Sequence, residues 1–228
     1  MLQVPRNLWI IVPAYNEAAR VALTLQTLLP LYPHVVVIDD GSRDDTRQAA
    51  HEAGAWVLRH EVNSGQGAAL QTGIDFALQQ GAEYIVTFDA DGQHDAEDIA
   101  KLLAPLVEGR ADAALGSRFL GQTVNMPMTR KLILKAGVLF TRIVSNIKVT
   151  DAHNGLRAFT HEAAARLQLV QDRMAHASEI LDQIRQLQLR FVEVPVTIRY
   201  TADTLAKGQT SIQAVKIAGE LLLGRMIK

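Results

Sequence analysis

The sequence predicts an α/β domain with a mainly parallel central sheet and helices on both faces. Three observations carry this. Short β-branched runs alternate with stretches of helical periodicity through the first 120 residues, the spacing of strand–helix–strand units. Those runs are continuously apolar rather than alternating, as strands covered on both faces are. Each run ends in a polar cluster, and open parallel sheets bind ligands beyond the carboxyl ends of their strands.

Taken in order, Leu8 to Val12 reads as a buried strand stopped by Pro13. Glu17 to Leu29 has helical spacing and ends before Pro30. His34 to Ile38 is a second strand, closed by Asp39-Asp40-Gly41-Ser42, and Asp45 to Ala53 a helix stopped by Gly54. Ala55 to Leu58 is a third strand and Gly67 to Gln80 the next helix. Tyr84 to Phe88 is a fourth strand, Asp95 to Val107 a helix, and Ala111 to Gly116 a fifth strand. The second half is less regular. Thr129 to Ile147 forms one long apolar-basic helix or two, and Met174 to Gln188 another. Phe191 to Tyr200 is a strand that Pro195 places near an edge. A polar loop over Thr201 to Thr210 leads to a C-terminal helix over Ser211 to Ile227. With no internal repeat or linker, one domain over 1–228 is the simpler reading.

Composition narrows the function. Of 228 residues, 48% are hydrophobic and 21% charged, the balance of a globular protein with a sizeable core. A net charge of -1 argues against a nucleic-acid partner. The absence of cysteine excludes disulfides and thiolate metal sites. No run of 18 apolar residues and no signal-type N-terminus are present, so the expected location is the cytoplasm.

The chemistry concentrates at the strand ends. Asp89-Ala90-Asp91 places two carboxylates two residues apart where a strand ends, able to face one cation with Gln93 or His94 adding a ligand. Hard oxygen ligands suit Mg²⁺ or Mn²⁺, completed by substrate phosphates. The competing reading is a turn that caps the helix near Asp95. Asp39-Asp40 is similar: a cap and a turn, or acceptors for a ribose hydroxyl or a base N–H. Asn63-Ser64-Gly65-Gln66-Gly67 is a Gly-rich loop opening a helix, able to approach a phosphate closely. The histidines show no ligand spacing; His94 stands out by position.

The series Ile11-Val12-Pro13-Ala14-Tyr15-Asn16-Glu17, Asp39-Asp40-Gly41-Ser42, Asn63-Ser64-Gly65-Gln66-Gly67, Asp89-Ala90-Asp91-Gly92-Gln93-His94 and Gly116-Ser117-Arg118 resembles family 2 glycosyltransferases of the GT-A fold, a Rossmann-like arrangement. The branch it looks most similar to contains dolichol-phosphate mannose synthase and bacterial polyprenyl-phosphate glycosyltransferases. Asp151-Ala152-His153-Asn154-Gly155-Leu156-Arg157 resembles a later Asp-x-x-x-Gly-Phe-Arg motif, and Val194-Pro195-Val196 and Lys207-Gly208-Gln209-Thr210-Ser211 its tail. The resemblance implies a nucleotide-sugar-binding half over 1–120 and an acceptor-binding half, with the C-terminal helix, over 121–228. Pro13, Tyr15, Glu17, Asp39, Asp40, Gly65, Gln66, Asp89 and Ala90 would bind a UDP- or GDP-sugar. Asp89, Asp91 and Gln93 would hold the metal, and Asp91 and Arg118 would serve catalysis near the phosphates. Three departures stand out: Asp45 for a common Gly, Gln66 for a frequent Lys and Leu156 for Phe. The missing lysine removes a charge near the donor.

The implied reaction is an inverting single displacement in which a cation and nearby basic groups stabilise the departing nucleoside diphosphate. A lipid-phosphate acceptor is already ionised, whereas a hydroxyl on a glycan needs a base, for which Asp151 and Glu179 are the candidates. From Ala113 to Thr150 there is no acid, yet Arg118, Arg130, Lys131, Lys135, Arg142 and Lys148 interleave with apolar residues. Such a segment can lie on an anionic bilayer, here the cytoplasmic face of the inner membrane, or cover the sheet; the C-terminal helix, with Ile212, Val215, Leu222 and Met226 beside Lys216, Arg225 and Lys228, could dock on a membrane, on a membrane-protein partner or on the core. The family also admits homo-oligomers. A sugar nucleotidyltransferase would want a Gly-rich loop directly after the first strand, which Pro13 to Glu17 is not. A phosphoacceptor switch domain is shorter and has no use for Asp89-Ala90-Asp91. A catalytically silent nucleotide-sugar binder shares every motif.

Overall fold

The computed structural model describes residues 5, 7–170 and 175–200. The loop, helix and tail motif expected over 201–228 lie outside the described residues. Seven strands form one sheet. Four of them, β1 (Leu8–Ala14), β2 (Val35–Asp39), β3 (Trp56–Arg59) and β4 (Tyr84–Thr87), pair in parallel in the order β3-β2-β1-β4. The sheet continues through β6 (Arg157–Thr160) and β5 (Ala113–Val124) to β7 (Phe191–Arg199). The sheet is therefore not confined to the first half: strands from after residue 120 complete it.

Side chains alternate along the inner strands and divide the core in two. Leu8, Ile10 and Val12 of β1 with Val35 and Val37 of β2 face one side. There they pack on Val21, Leu25 and Leu28 of α1 (Ala18–Leu28) and Ile99, Leu102, Leu103 and Leu106 of α4 (Asp98–Val107). Trp9, Ile11, Val36 and Ile38 face the other side, against Ala69, Leu70 and Ile74 of α3 (Gln66–Gln79) and Ile180, Leu181 and Ile184 of α7 (Ala175–Gln186). Every residue of β1 and β2 is buried, as the unbroken apolar runs imply. Each fully buried Val, Leu or Ile contributes about 1.5–3 kcal/mol, so these two strands are the strongest part of the architecture. β3 and β7 are the edges, and Pro195 in β7 faces a neighbour on one side only.

The structure departs from expectation in the second half. β6 has only four residues, too short for periodicity to reveal, and is defined by its antiparallel pairing with both β4 and β5. β5 runs to Val124 rather than stopping at Gly116, because it pairs with β7 across a register shift between Ser117 and Gln122. That outer part is largely exposed, so no apolar run marks it. The helix after β4 starts at Asp98, not Asp95, since Asp95 forms a turn in which Asp98 N donates to its carbonyl. The apolar-basic stretch is one helix, α5 (Met128–Ser145). The remaining helices are α2 (Thr46–Glu52) and the short α6 (His161–Ala164). Among the described residues no helix is long and apolar enough to cross a membrane.

Strand order reverses at β1, whose neighbours are β2 on one side and β4 on the other. The crevice at such a switch point is where open α/β sheets bind ligands. α3 lies close to β1 because Gly73 has no side chain: a Cβ there would overlap Ile11 Cγ2 and lie 3.2 Å from its Cγ1. Gly73→Ala is expected to destabilise the protein by about 1–3 kcal/mol, read as a lower denaturation midpoint at unchanged m-value.

Candidate functional site at the β1–β4 switch point

The loops after β1 and β2 are built into each other. Asn16 takes a left-handed conformation (φ 54). Its N–H donates to Ser42 Oγ at 2.9 Å and its Oδ1 accepts Arg43 N at 2.9 Å. Glu17 N donates to Thr46 Oγ1 at 2.9 Å and Ala18 N to Asp44 Oδ2 at 3.2 Å. The N–H groups leading into α1, up to that of its first residue Ala18, are thus satisfied by the neighbouring loop, and Glu17 makes no side-chain cap. Pro13 is buried at the end of β1, Tyr15 is 42% exposed, and Glu17 pairs with Arg20 at 3.0 Å.

The two acids ending β2 have different surroundings. Asp39 is buried, and its Oδ1 accepts Ser42 N at 3.0 Å. Its Oδ2 has no hydrogen-bond partner, with Arg59 Nε standing off at 3.5 Å. A buried acceptor left open in this way suits an incoming N–H or O–H. Asp40 instead organises the Gly-rich loop: Oδ1 accepts Ser64 N at 2.9 Å and contacts His60 Nδ1 at 2.7 Å, and Oδ2 accepts Gly65 N at 2.8 Å. Gly65 has φ 93, the left-handed region that glycine tolerates. The next residue, Gln66, turns toward the acids: its Nε2 donates to Asp89 Oδ1 at 3.1 Å.

Asp89 is enclosed. Beyond Gln66, His94 Nε2 lies 3.1 Å from its Oδ2. Gly155 presses on the carboxylate so closely that a Cβ would overlap all three of its terminal atoms. Thr87 Oγ1 donates to Gly155 O at 2.6 Å and fixes that approach. Burial alone would raise the Asp89 pKa, but the bond to His94 and the charges of His94, His176 and Arg157 outweigh it, and the pKa is lowered. Asp91 goes the other way: burial first, then the charges of Asp89 and Glu17, raise it. Its Oδ1 accepts Gln93 N at 3.0 Å across the turn at Gly92, a local turn that does not cap α4, which begins at Asp98 with no side-chain cap. Ala90 is buried and its carbonyl accepts Thr24 Oγ1 at 3.1 Å. The Gln93 carbonyl accepts Arg199 N at 2.9 Å, which ties this loop to β7.

Two carboxylates that repel each other, one of them with a raised proton affinity, are a fitting pair of hard ligands for Mg²⁺ or Mn²⁺. Among the described residues no group of three or more His, Cys, Asp or Glu is arranged to hold a metal by itself. Such a site is the kind that substrate phosphates complete.

Arg118 and Asp151 are brought together but on each other. Arg118 Nε donates to Asp151 Oδ2 at 2.6 Å, its Nη1 to Tyr200 Oη at 2.8 Å, and its Nη2 to His153 O at 3.0 Å. Glu193 accepts from Thr150 N at 2.7 Å and Asp151 N at 3.2 Å, which holds the segment in place. Glu179 accepts Val170 N at 3.1 Å. Arg157, expected only as part of a motif, is a buried cation whose Nε donates to Asn154 O at 3.0 Å and Nη2 to Ala152 O at 3.2 Å. Burial lowers its pKa to about 10, while Asp89 and Asp151 act to hold it charged. Sequence reading missed the roles of Gln66, Arg157, Glu193 and Tyr200; for Arg157 and Gly155 the motif itself was the available signal.

Gly155→Ala is expected to push the Asp89 carboxylate out of place. A misplacement of about 1 Å in a catalytic group costs on the order of 10²-fold. Activity measured on a variant whose circular dichroism matches wild type would check this.

The sequence profile of Glycosyl transferase family 2 matches residues 9–168. The chain is 32% identical to a UDP-N-acetylglucosamine--dolichyl-phosphate N-acetylglucosaminyltransferase of Methanococcus voltae, covering 97% of both chains. It is 34% identical to an undecaprenyl-phosphate mannosyltransferase of Micrococcus luteus, over 82% of this chain and 81% of that one. Among solved structures, glucosyl-3-phosphoglycerate synthase from Mycobacterium tuberculosis in complex with Mn²⁺, UDP-glucose and glycerol 3-phosphate superposes with a TM-score of 0.72 at 19% identity, covering 94% of this chain and 77% of that one. The last is a likeness of fold, the GT-A arrangement. The crevice with its paired acids, the matched profile and these relatives agree, and the chain belongs to glycosyl transferase family 2.

Proposed function

We propose that the protein transfers a sugar, with inversion, from a UDP- or GDP-sugar held with Mg²⁺ or Mn²⁺ to the phosphate of a polyprenyl lipid. The observation that carries this is the pair Asp89–Asp91 at the switch-point crevice, one acid with a lowered and the other with a raised pKa. Asp39 Oδ2 is the acceptor for a base or ribose donor group, since it is buried and open. Asp89, Asp91 and Gln93 would hold the cation, which when bound neutralises charge on the departing diphosphate. Tyr15 and Glu17, on the adjoining loop, would flank the nucleotide.

A phosphate acceptor fits the remaining acids. The two candidates for a base are engaged: Asp151 by the Arg118 guanidinium, Glu179 by Val170 N. A phosphate oxygen is ionised near neutral pH and needs neither. The two relatives cited carry different sugars but both take a polyprenyl-type phosphate by name, and that shared acceptor chemistry supports the reading.

A lipid acceptor sits at a bilayer, and α5 offers a surface for one. Met128, Leu132 and Leu139 are exposed, and Lys131, Lys135 and Arg142 surround them. An amphipathic helix of this kind binds anionic lipid through apolar burial plus charge.

Two experiments check these readings. Donor sugars at about a hundred times Kd are expected to raise the melting temperature by roughly 5–10 °C with Mn²⁺ present, and Asp91→Ala to abolish the rise. A metal-dependent shift without sugar transfer to any polyprenyl phosphate would leave a silent binder or a hydroxyl acceptor. In flotation, wild type is expected to rise with anionic vesicles at low salt, and the double variant Leu132→Asp, Leu139→Asp to stay behind; recovery of wild type wholly away from the vesicles rejects the membrane surface.

A further inference from the structure

Asp89 is gripped by two side chains, that of Gln66 at the start of α3 and that of His94 in the loop after β4. Gln66 Nε2 donates to Oδ1 and His94 Nε2 lies against Oδ2, both at 3.1 Å. The His94 side chain is 3% exposed and stands edge-on to Phe88, with ring centroids 5.3 Å apart. Its other ring nitrogen, Nδ1, is buried with no hydrogen-bond partner. The polar engagement of this ring is therefore spent on Asp89. Gln66 opens α3 at the end of the loop that Asp40 holds through Ser64 N and Gly65 N. A short covalent and hydrogen-bonded path thus runs from the end of β2, where Asp39 presents its open oxygen, to the end of β4.

The charges of Asp89 and Glu17 act on Asp91, and those of His94, His176 and Arg157 act on Asp89. Arg157 is buried and donates to carbonyl oxygens. Gln66 contributes a dipole to Asp89 but no charge. A lysine at this position, with similar reach, would lay an ammonium against the same oxygen and cancel one carboxylate.

We infer that Gln66 and His94 are positioning residues that hold Asp89 from both sides for a divalent cation, and that the neutrality of Gln66 keeps the charge of the acid pair available to that cation. This rests on the metal-dependent donor site proposed above. Partners of metal ligands usually carry about 10–100-fold in metal affinity, and that is the size of effect expected here.

The test is Mn²⁺ binding, followed by loss of the free-ion signal in electron paramagnetic resonance, with UDP and separately GDP present. Alongside it runs metal-free nucleotide binding by calorimetry. Gln66→Leu and His94→Ala are each expected to weaken Mn²⁺ at least tenfold, and His94→Ala to hold metal-free nucleotide affinity within about twofold. His94→Gln, which retains an N–H donor, is expected to recover part of the loss. Gln66→Lys is expected to weaken Mn²⁺ by a similar factor despite keeping a donor, and to leave metal-free nucleotide binding equal or stronger. Wild-type Mn²⁺ affinity in Gln66→Leu and His94→Ala, both folded by circular dichroism, would overturn the positioning role and spare the donor site. Wild-type Mn²⁺ affinity in Gln66→Lys would overturn the argument from neutrality. A wild-type protein that binds no Mn²⁺ with either nucleotide would remove both the inference and the reading beneath it.

Discussion

The contact on which the site depends is the one between the Asp89 carboxylate and the backbone of Gly155. It brings the end of β4 against a segment 66 positions away, and Thr87 Oγ1 fastens that segment by bonding the Gly155 carbonyl. Arg157 then begins β6, which fills the gap between β4 and β5 in antiparallel sense. A four-residue strand would contribute little by itself. Here it is the seam joining the parallel sheet of the first half to the β5–β7 pair, and Asp89 lies against the segment that leads into it. The same seam explains why a glycine stands at 155: conformational freedom is not at issue there, only the room its missing Cβ leaves.

The second organised region is built on a buried ion pair. Arg118 and Asp151 have side chains 6% and 1% exposed. Burial works against the Arg118 charge, but Asp151 and Tyr200 hold its pKa above the usual value. Removing one partner of such a pair commonly costs about 3–5 kcal/mol because the other is left buried and alone. Glu193 adds bonds to the Asp151 segment from β7, and Arg130 lies over the Tyr200 ring at 5.1 Å. This cluster reads first as architecture, with its guanidinium donors directed at protein oxygens.

Much of the first half was legible in sequence, since β1, β2 and β4 are continuous apolar runs, the first stopped by Pro13 and the other two by acids. Pro195 also marked an edge correctly, because an edge strand can do without one N–H. β6 and the outer half of β5 were not legible. Their existence depends on partners far along the chain, and neither carries an apolar pattern of its own. At the site, residue type showed where the acids are but not what each one faces. Asp39 and Asp40 are adjacent and identical, yet one keeps an open oxygen and the other spends its carboxylate on a loop. Gln66 was expected near a phosphate and turns to Asp89 instead, a matter of side-chain direction that spacing alone does not encode.

The interlocked loops have a consequence for how the chain assembles. The N–H groups of Asn16, Glu17 and Ala18, at the entry to α1, find their acceptors on Ser42, Thr46 and Asp44, beyond the whole of β2. A helix whose opening turn is completed by residues that far downstream gains little from forming early, since closing that loop must come first. The leading strand and helix are thus expected to order together with β2 and its following turn, as one cooperative unit of folding, rather than one after another as the chain is made.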